Sequence, residues 1–557
     1  MFALIVAPVD FRTEIKGLGE AIFSRDWTPD RCIRLYRDFL PKPVDDSFCK
    51  STEDATILCE GILLSHKKSE LEQILKDERH NDLARVHGQF GCLYIDHIAR
   101  ELRVYSNVCN NFRLYYYHAN GVLIIATSIK VIVRILALNG IKCHPDEIAL
   151  RMLLTYGYML RDYCTISEIR HFSASNMLRY KEDKIWVEKY FRFKYKITNT
   201  SIKDCADEVL ELFRMAVKQG FERDEQKKHL AFISGGLDSR LVVFTAYNLM
   251  YRDLTCLNFS QPGYLDQTIG REICSKLGYD FRFFSLEGGE YLKNLDENLI
   301  YNEGQTVLHG AAHLYAAIQS MPLKEYGILH SGQAGGIIKG AYLQSSKHSP
   351  VDFYSGAYST RLIPTLLPFI KQYHNDYETH ELFIMENRGF NALTNGDLAC
   401  LPFSYTTSAL LHPDLITYLL NIPPELRKDA RTYLYLIKKY YPEAAKFKWE
   451  KYNCPINTPY YLAQLRYYTW RGTDKIKRMI AGKPNQLSMN PFDYWWQSNP
   501  SLRENLQQRF TPDESVLSRY SKDLQMDIHT MYRDGSFSEK CQAYTALRGT
   551  TYLLDED

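Results

Sequence analysis

The sequence predicts an α/β protein of two domains, a strand-rich N-terminal part followed by a doubly wound parallel sheet with a helical extension. Three observations carry this. The chain has 557 residues, 45% of them apolar, which is more than one ordinary core accommodates. Up to about residue 190, short apolar runs recur with turn signals between them. From about residue 203, apolar strands alternate with helical stretches, the pattern of parallel β–α–β units.

In chain order, strands are expected over 2–7 (stopped by Pro8), 91–96, 102–105, 112–117 and 122–127, with a helix over 145–156. Asn120-Gly121 between two apolar runs is a strong hairpin signal, because both residues tolerate the positive φ of a tight turn. The second part should open with a helix over 202–219, then a strand at 230–233 and a helix to about 249. A strand at 254–259, a helix at 265–277 and a strand at 281–286 follow. Helices over 290–302 and 308–320 lead to a strand at 327–330. Beyond about 355 the chain reads as mainly helical, broken at Pro413, Pro423-Pro424, Pro455 and Pro459.

Composition narrows the function. A formal net charge of +2 argues against a nucleic-acid surface as the main business. The 13 cysteines contain no CxxC pair, and an odd, scattered set fits reduced thiols better than a disulfide framework or a zinc ribbon. The N-terminus lacks the basic segment and small-residue cleavage site of a signal peptide. The longest apolar stretch, 122–138, is interrupted by Lys130 and Arg134, too soon for a membrane span. A soluble protein of the cytoplasm is expected.

The most informative segment is His229–Leu241. An apolar strand meets Ser234-Gly235-Gly236-Leu237-Asp238-Ser239 and continues as a helix. The glycines allow a sharp turn that aims successive N–H groups into one concavity, at a helix N-terminus where an anion is favoured. Ser234 and Ser239 add hydroxyl donors, and Asp238 can hold a magnesium ion on phosphates. No Gly-Lys-Ser/Thr ending is present, so this is not a Walker loop. Arg240, directly after the loop, is a candidate for a phosphate contact or a salt bridge.

The S-G-G-x-D-S pattern resembles the PP-loop of ATP pyrophosphatases, and the order of parts resembles asparagine synthetase. In the first domain the resemblance rests on Gly88-Gln89-Phe90, Asp96, Tyr105-Ser106, Arg113-Leu114-Tyr115-Tyr116 and Ala126-Thr127-Ser128. In the second it rests on the loop, Asp266, Leu277-Gly278, Ser331-Gly332, Leu401-Pro402-Phe403, Ile422-Pro423, Leu426-Arg427 and Lys448-Trp449-Glu450-Lys451. It implies an Ntn-type αββα sandwich over 1–195, a degenerate glutaminase-like domain. Over 203–557 it implies a PP-loop ligase domain, adenine nucleotide α-hydrolase-like. The activity implied is carboxylate activation: ATP yields an acyl-adenylate and pyrophosphate, and an amine then forms the amide. ATP and Mg²⁺ are the implied cofactors. The partners are a small-molecule, sugar or peptide carboxylate and ammonia or an amine, with a homodimer left open and neither nucleic acid nor membrane expected.

By the same resemblance Ser234, Gly235, Gly236, Leu237 and Ser239 cradle pyrophosphate, Asp238 holds the metal, and Ser331 and Gly332 lie against the nucleotide. Lys451 or Lys448 meets the charge developing near the α-phosphate. His309 and His313, spaced i, i+4, share a helix face; His309 is expected at the substrate pocket or as a polar helix cap. A zinc site there lacks further ligands.

Departures from the family pattern are informative. Position 2 is Phe2, where glutamine-hydrolysing members carry a cysteine, so glutamine cannot be cleaved by that route. Gln333 and Gly336 stand where the family has an acidic residue and a second metal-binding aspartate, with Asp266 or Glu303 as candidates to compensate. The alternative reading is a catalytically inactive nucleotide-binding or partner-binding protein. Members without the cysteine include β-lactam synthetases, lasso-peptide cyclases and asparagine-synthase-like proteins of polysaccharide clusters. The HGAAH stretch (309–313) and the segment Trp449–Pro459 look most similar to the last group.

Overall fold

The structure is a computed structural model that describes residues 2–15, 17–37, 42–344, 349–482, 484–511 and 514–555. Its N-terminal part is built on two antiparallel six-stranded sheets. In spatial order, the first holds Arg170–His171, Tyr115–Ala119, Val122–Ala126, Phe2–Pro8, Arg31–Arg37 and Ala21–Thr28. The second holds Lys184–Lys189, Asn176–Lys181, Glu101–Ser106, Gly88–Asp96, Ala55–Leu63 and Phe48–Ser51.

Strand Phe2–Pro8 shows why its sequence is apolar without alternation. Phe2, Leu4 and Val6 meet Leu93, Ile95, Leu102 and Val104 of the other sheet. Ala3, Ile5 and Ala7 face helix Ile129–Leu138 on the opposite side. A strand covered on both faces carries a continuous apolar run. The outer face of the second sheet is closed by helix Lys68–Lys76, through Leu71, Ile74 and Leu75. The result is an αββα sandwich. The hairpin forms as expected, with Asn120 at φ 51° and Gly121 at φ 72° between the paired Ala119 and Val122.

The second part contains a five-stranded parallel sheet in the order Asp280–Ser285, Leu254–Ser260, Lys228–Phe232, Tyr326–Ser331, Thr406–Ser408. Helix His309–Gln319 covers one face through Leu314, Ala317 and Ile318. Helices Ile202–Glu222, Asp238–Asn248 and Leu265–Leu277 cover the other. Strand order reverses between Lys228–Phe232 and Tyr326–Ser331, so the loop after Phe232 lies at the switch point where such sheets bind ligands.

Two expectations are corrected, and one strand was not foreseen. The strand expected from Phe112 begins at Tyr115, because residues 110–113 form buried contacts with the second part: Asn110 Nδ2 donates to Asn391 Oδ1 at 3.1 Å. The helix expected over 290–302 is a run of 3-10 turns, Glu287–Asn298, ending in a short α-helix. Asn294, at φ −109° and ψ 30°, interrupts helical geometry inside the expected span, and Gly288 and Gly289, at φ 66° and 69°, kink the chain just before it. The last sheet strand, Thr406–Ser408, escapes sequence reading because it has three residues, all polar.

The two parts share packing. Leu150 and Leu153 of helix Glu147–Tyr156 join the same core as Leu524, Ile528 and Leu547. Leu553, from the C-terminal helix Phe537–Leu554, enters the N-terminal core. Glu303 is a third link: its carboxylate accepts from Ser128 Oγ (2.6 Å), Ile129 N (2.8 Å) and Lys130 N (3.2 Å), capping helix Ile129–Leu138. Among the described residues no helix is long and apolar enough to cross a membrane.

Candidate functional site

The glycine-rich segment runs from the end of strand Lys228–Phe232 to helix Asp238–Asn248, whose first turn has no side-chain cap. Its N–H groups are therefore left to the loop itself or to an anion. Ser239 Oγ accepts from Ser234 N (3.1 Å) and lies 3.0 Å from Ser234 Oγ, which accepts from Gly236 N at 3.2 Å. Gly235 N donates to Asp266 Oδ1 at 2.7 Å. Gly332 packs on the helix start so closely that a β-carbon there would lie 2.6 Å from Ser239 N. Only glycine allows that approach, so Ser331-Gly332 and the loop form one surface.

Asp238 stands at the mouth of this surface. Its Oδ2 pairs with Lys339 Nζ at 2.7 Å, and it lies over Gly335, where a β-carbon would come within 2.0 Å of Oδ2. Oδ1 is buried and makes no hydrogen bond, as does the Tyr433 hydroxyl nearby. Burial and the Asp238 charge push the Tyr433 phenol well above its ordinary range. Gly336 is occupied differently: a β-carbon would lie 2.4 Å from the Tyr342 ring. A carboxylate cannot be placed there without displacing that ring.

A cleft of about 520 Å³ opens over these groups, lined by Gly236, Leu237, Asp238, Lys339, Lys428, Asp429, Glu450, Lys451 and Arg471 among others. Four cations face three carboxylates. Lys428, Lys451 and Arg471 have no ion-pair partner among the described residues, whereas Lys339 is tied to Asp238. Asp429 and Ala430 on its wall are both left-handed, at φ 56° and 60°, a strained arrangement for non-glycine residues.

Of the two lysines, Lys451 lines the cleft and lies over the Trp449 and Tyr452 rings at 5.5 and 5.1 Å. Lys448 is exposed on the short strand Lys448–Trp449 and does not line it. Arg240 reaches no open surface. It is fully buried, and its guanidinium donates to the carbonyls of Gly235 (3.1 Å), Ala444 (3.3 Å), Phe447 (3.3 Å) and Lys448. It clamps the 444–450 segment onto the loop, and burial lowers its pKa to about 10. Glu450 N adds a bond to Gly235 O at 3.1 Å.

Asp266 is buried beneath the loop. Burial, then the nearby Glu450 carboxylate, raise its pKa to about 7 against the lowering effect of the Gly235 N–H. Glu450 Oε1 in turn accepts from Tyr264 Oη at 2.5 Å. Asp266 therefore supports the loop from below, and Glu303 caps a helix of the first part; neither lines the cleft.

His309 is a core histidine, edge-on to Phe492 (5.0 Å) and Phe537 (5.9 Å). One turn on, His313 faces a second cavity of about 270 Å³, lined also by Tyr158, Thr306, Gln333, Ala334, Arg388 and Asn395. Arg388 has no ion-pair partner among the described residues, and burial lowers the His313 pKa to about 4, keeping it neutral. Tyr342 feels the charges of both Arg388, in the second cavity, and Asp238, in the first. Sequence reasoning missed Lys339, Lys428, Arg471 and Arg388. Each sits on irregular or distant chain, and an isolated basic residue carries no signal of its own.

No protein-family model matches this chain, and no curated protein does. Solved structures are similar to part of the chain at low identity. The NH3-dependent NAD synthetase of Campylobacter jejuni is 15% identical over 40% of this chain and 93% of its own, with a TM-score of 0.18. Glutamine phosphoribosylpyrophosphate amidotransferase from B. subtilis is 10% identical over 51% of this chain and 85% of its own, with a TM-score of 0.21. The glutamine-dependent NAD+ synthetase of Acinetobacter baumannii is 14% identical over 46% and 55%, with a TM-score of 0.19.

Proposed function

We propose that this protein is an ATP-dependent, AMP- and pyrophosphate-forming amide ligase, similar to asparagine synthetase, that has no glutaminase of its own. The observation that carries the reading is the uncapped helix at Asp238, opening onto a cleft with three cations that have no ion-pair partner among the described residues. Pyrophosphate is the group whose charge grows as the bond to the α-phosphorus breaks. Donors preorganised around it lower the barrier. The Ser234 and Ser239 hydroxyls, which now bond within the loop, would turn to the phosphates, and Lys428, Lys451 and Arg471 would balance the remaining charge. Lys451 is assigned to the α-phosphate side.

Asp238 Oδ1, buried and unbonded, is the donor that fits one Mg²⁺, a hard cation held mostly by phosphate oxygens and water. Bound there, the ion would supply further neutralisation of the leaving pyrophosphate. A second metal does not fit, since Tyr342 fills the space over Gly336 and Lys339 already sets a positive charge on Asp238. The carboxylate substrate is assigned to the second cavity, with Arg388 as its counter-charge and His313 and Gln333 as hydrogen-bonding neighbours. Phe2, wholly buried between the sheets, offers no nucleophile, so the amine comes as ammonia or on a substrate.

The test is AMP and pyrophosphate release from MgATP over a panel of carboxylates (aspartate, nucleotide-linked uronic acids, a β-amino-acid diacid), with and without ammonium. Release with one acid, abolished in Asp238→Ala, supports the ligase. The Lys339–Asp238 pair and Gly336 favour one other reading, a nucleotide-binding protein without turnover. ATP binding with no AMP from any acid would support that instead.

A further inference from the structure

Beneath the switch point, on the sheet face covered by helix Ile202–Glu222, three side chains outside both cavities converge. Asp224 lies in the turn after that helix, His229 on strand Lys228–Phe232 and His330 on strand Tyr326–Ser331. Ala231 and His330 are register partners across the two parallel strands, so His229, two residues before Ala231, faces the same side as His330.

The carboxylate of Asp224 is held from behind. Its Oδ2 accepts the Ile328 N–H at 2.5 Å and rests on Gly327, where a β-carbon would come within 1.8 Å of it. That leaves Oδ1, which lies 3.3 Å from His229 Nδ1. His330 is the third residue, its Nε2 likewise without a hydrogen bond, and one donor atom from each of the three residues lies within 4.8 Å of the other two. All three residues are buried, at 5%, 6% and 2% exposure, and none of these three atoms makes a hydrogen bond. Buried polar atoms are almost always satisfied, so three unsatisfied ones aimed at one point call for a partner they can share. The Phe221 ring, 3.8 Å from that of His330 and 4.7 Å from that of His229, and Tyr251 beyond it shut the group off from solvent.

We propose that Asp224, His229 and His330 bind one divalent transition-metal ion, Zn²⁺ by preference, as a brace beneath the loop. Two imidazoles and one carboxylate are a borderline donor set, which suits zinc and its neighbours, whereas magnesium and calcium favour oxygen throughout. The 3.3 Å separation matches the edge of a tetrahedron with metal–ligand bonds of ~2.0 Å, and the histidine rings close the rest by small rotations. The Ile328 N–H fixes the carboxylate as an outer-shell partner does in known metal sites. Such an ion would join a helix end to the two strands that lead into Ser234 and Ser331. It is independent of the catalytic reading above.

The test uses full-length protein stripped with a chelator and retitrated with Zn²⁺, and separately with Co²⁺ as a coloured substitute. Expected are about one tightly bound Zn²⁺ per chain, visible ligand-field bands with Co²⁺, and a melting temperature that rises on adding Zn²⁺ to wild type. His229→Gln and His330→Gln should each weaken Zn²⁺ binding at least a hundredfold and erase the bands, whereas His144→Gln, at an exposed histidine, should leave both intact. The proposal is overturned if stripped wild type takes up no stoichiometric Zn²⁺, or if His330→Gln retains the wild-type Co²⁺ spectrum. The wild-type titration decides the matter even if a variant fails to fold.

Discussion

Lys339 Nζ sits 2.7 Å from Asp238 Oδ2, so the one carboxylate of the glycine-rich loop already carries a counter-charge from a segment a hundred residues downstream. The ammonium fixes Asp238 across Gly335 and leaves Oδ1 for a ligand. Replacing the lysine removes both the counter-charge and the positioning. Lys339→Gln is expected to raise the KM for ATP roughly tenfold, or about 1.4 kcal/mol, with a smaller effect on kcat. Asp238→Ala should lower kcat at least a hundredfold, about 2.7 kcal/mol of transition-state stabilisation. Steady-state AMP release against MgATP checks both, and unchanged kinetics in either variant would detach the pair from nucleotide handling.

Arg240 should behave as a structural residue even though it follows the loop directly. Its guanidinium donates to four carbonyls, and Arg240→Met removes all four bonds, leaving Gly235 O with the Glu450 N–H alone. A loss of about 3 kcal/mol is expected, read as a lower melting temperature in the absence of any nucleotide. Full stability combined with weaker ATP binding would return Arg240 to the phosphate role.

Asp266 ties stability to pH. Its folded pKa, about 7, lies above the ordinary value of 3.8, so between those values the folded state holds more protons than the unfolded one. Stability from this group is complete below about pH 4 and is lost as pH rises through 7. Asp266→Asn keeps an oxygen for the Gly235 N–H and removes the titration. The variant should therefore gain on the order of 2 kcal/mol over wild type at pH 8 and nothing at pH 4. Denaturant melts at the two pH values measure this; an equal difference at both would show that Asp266 does not titrate in this window. Asp397, buried and raised to about 7, titrates alongside in both proteins and cancels in the comparison.

Phe2→Cys should not create a glutaminase. Side chain 2 is wholly buried in the inter-sheet core with Leu4 and Val6, facing Leu93 and Val104. A thiol there meets no substrate, and the lost ring costs ~3 kcal/mol. Glutamate release from glutamine reads the activity, and thermal melting reads the cost. Glutaminase activity in this variant would mean that the first domain has kept a working pocket.

Much of this architecture was legible in the linear chain because its signals are local. The Asn120-Gly121 turn needs two residues that accept positive φ, the parallel strands show as apolar runs between helical periods, and the loop at 234–239 combines glycines, hydroxyls and a carboxylate within six positions. Where a signal was ambiguous, tertiary packing settled it. Asn294 departs from helical geometry inside a helix that the apolar spacing suggested, and Thr406–Ser408 becomes a strand only because Tyr326–Ser331 is there to pair with it.

The strand–loop–helix and the absence of a nucleophile at position 2 were thus determined by the sequence itself, since each depends on residues adjacent in the chain. Only the tertiary structure decided that His309 is core while His313 faces a cavity, that Lys451 rather than Lys448 borders the cleft, and that Arg240 clamps backbone. It alone brought Lys339 to Asp238 and gathered Asp224, His229 and His330 around one point. The physical reason is range: backbone geometry and turn chemistry act over a few residues, whereas burial, charge pairing and ligand convergence depend on what the fold brings from far along the chain.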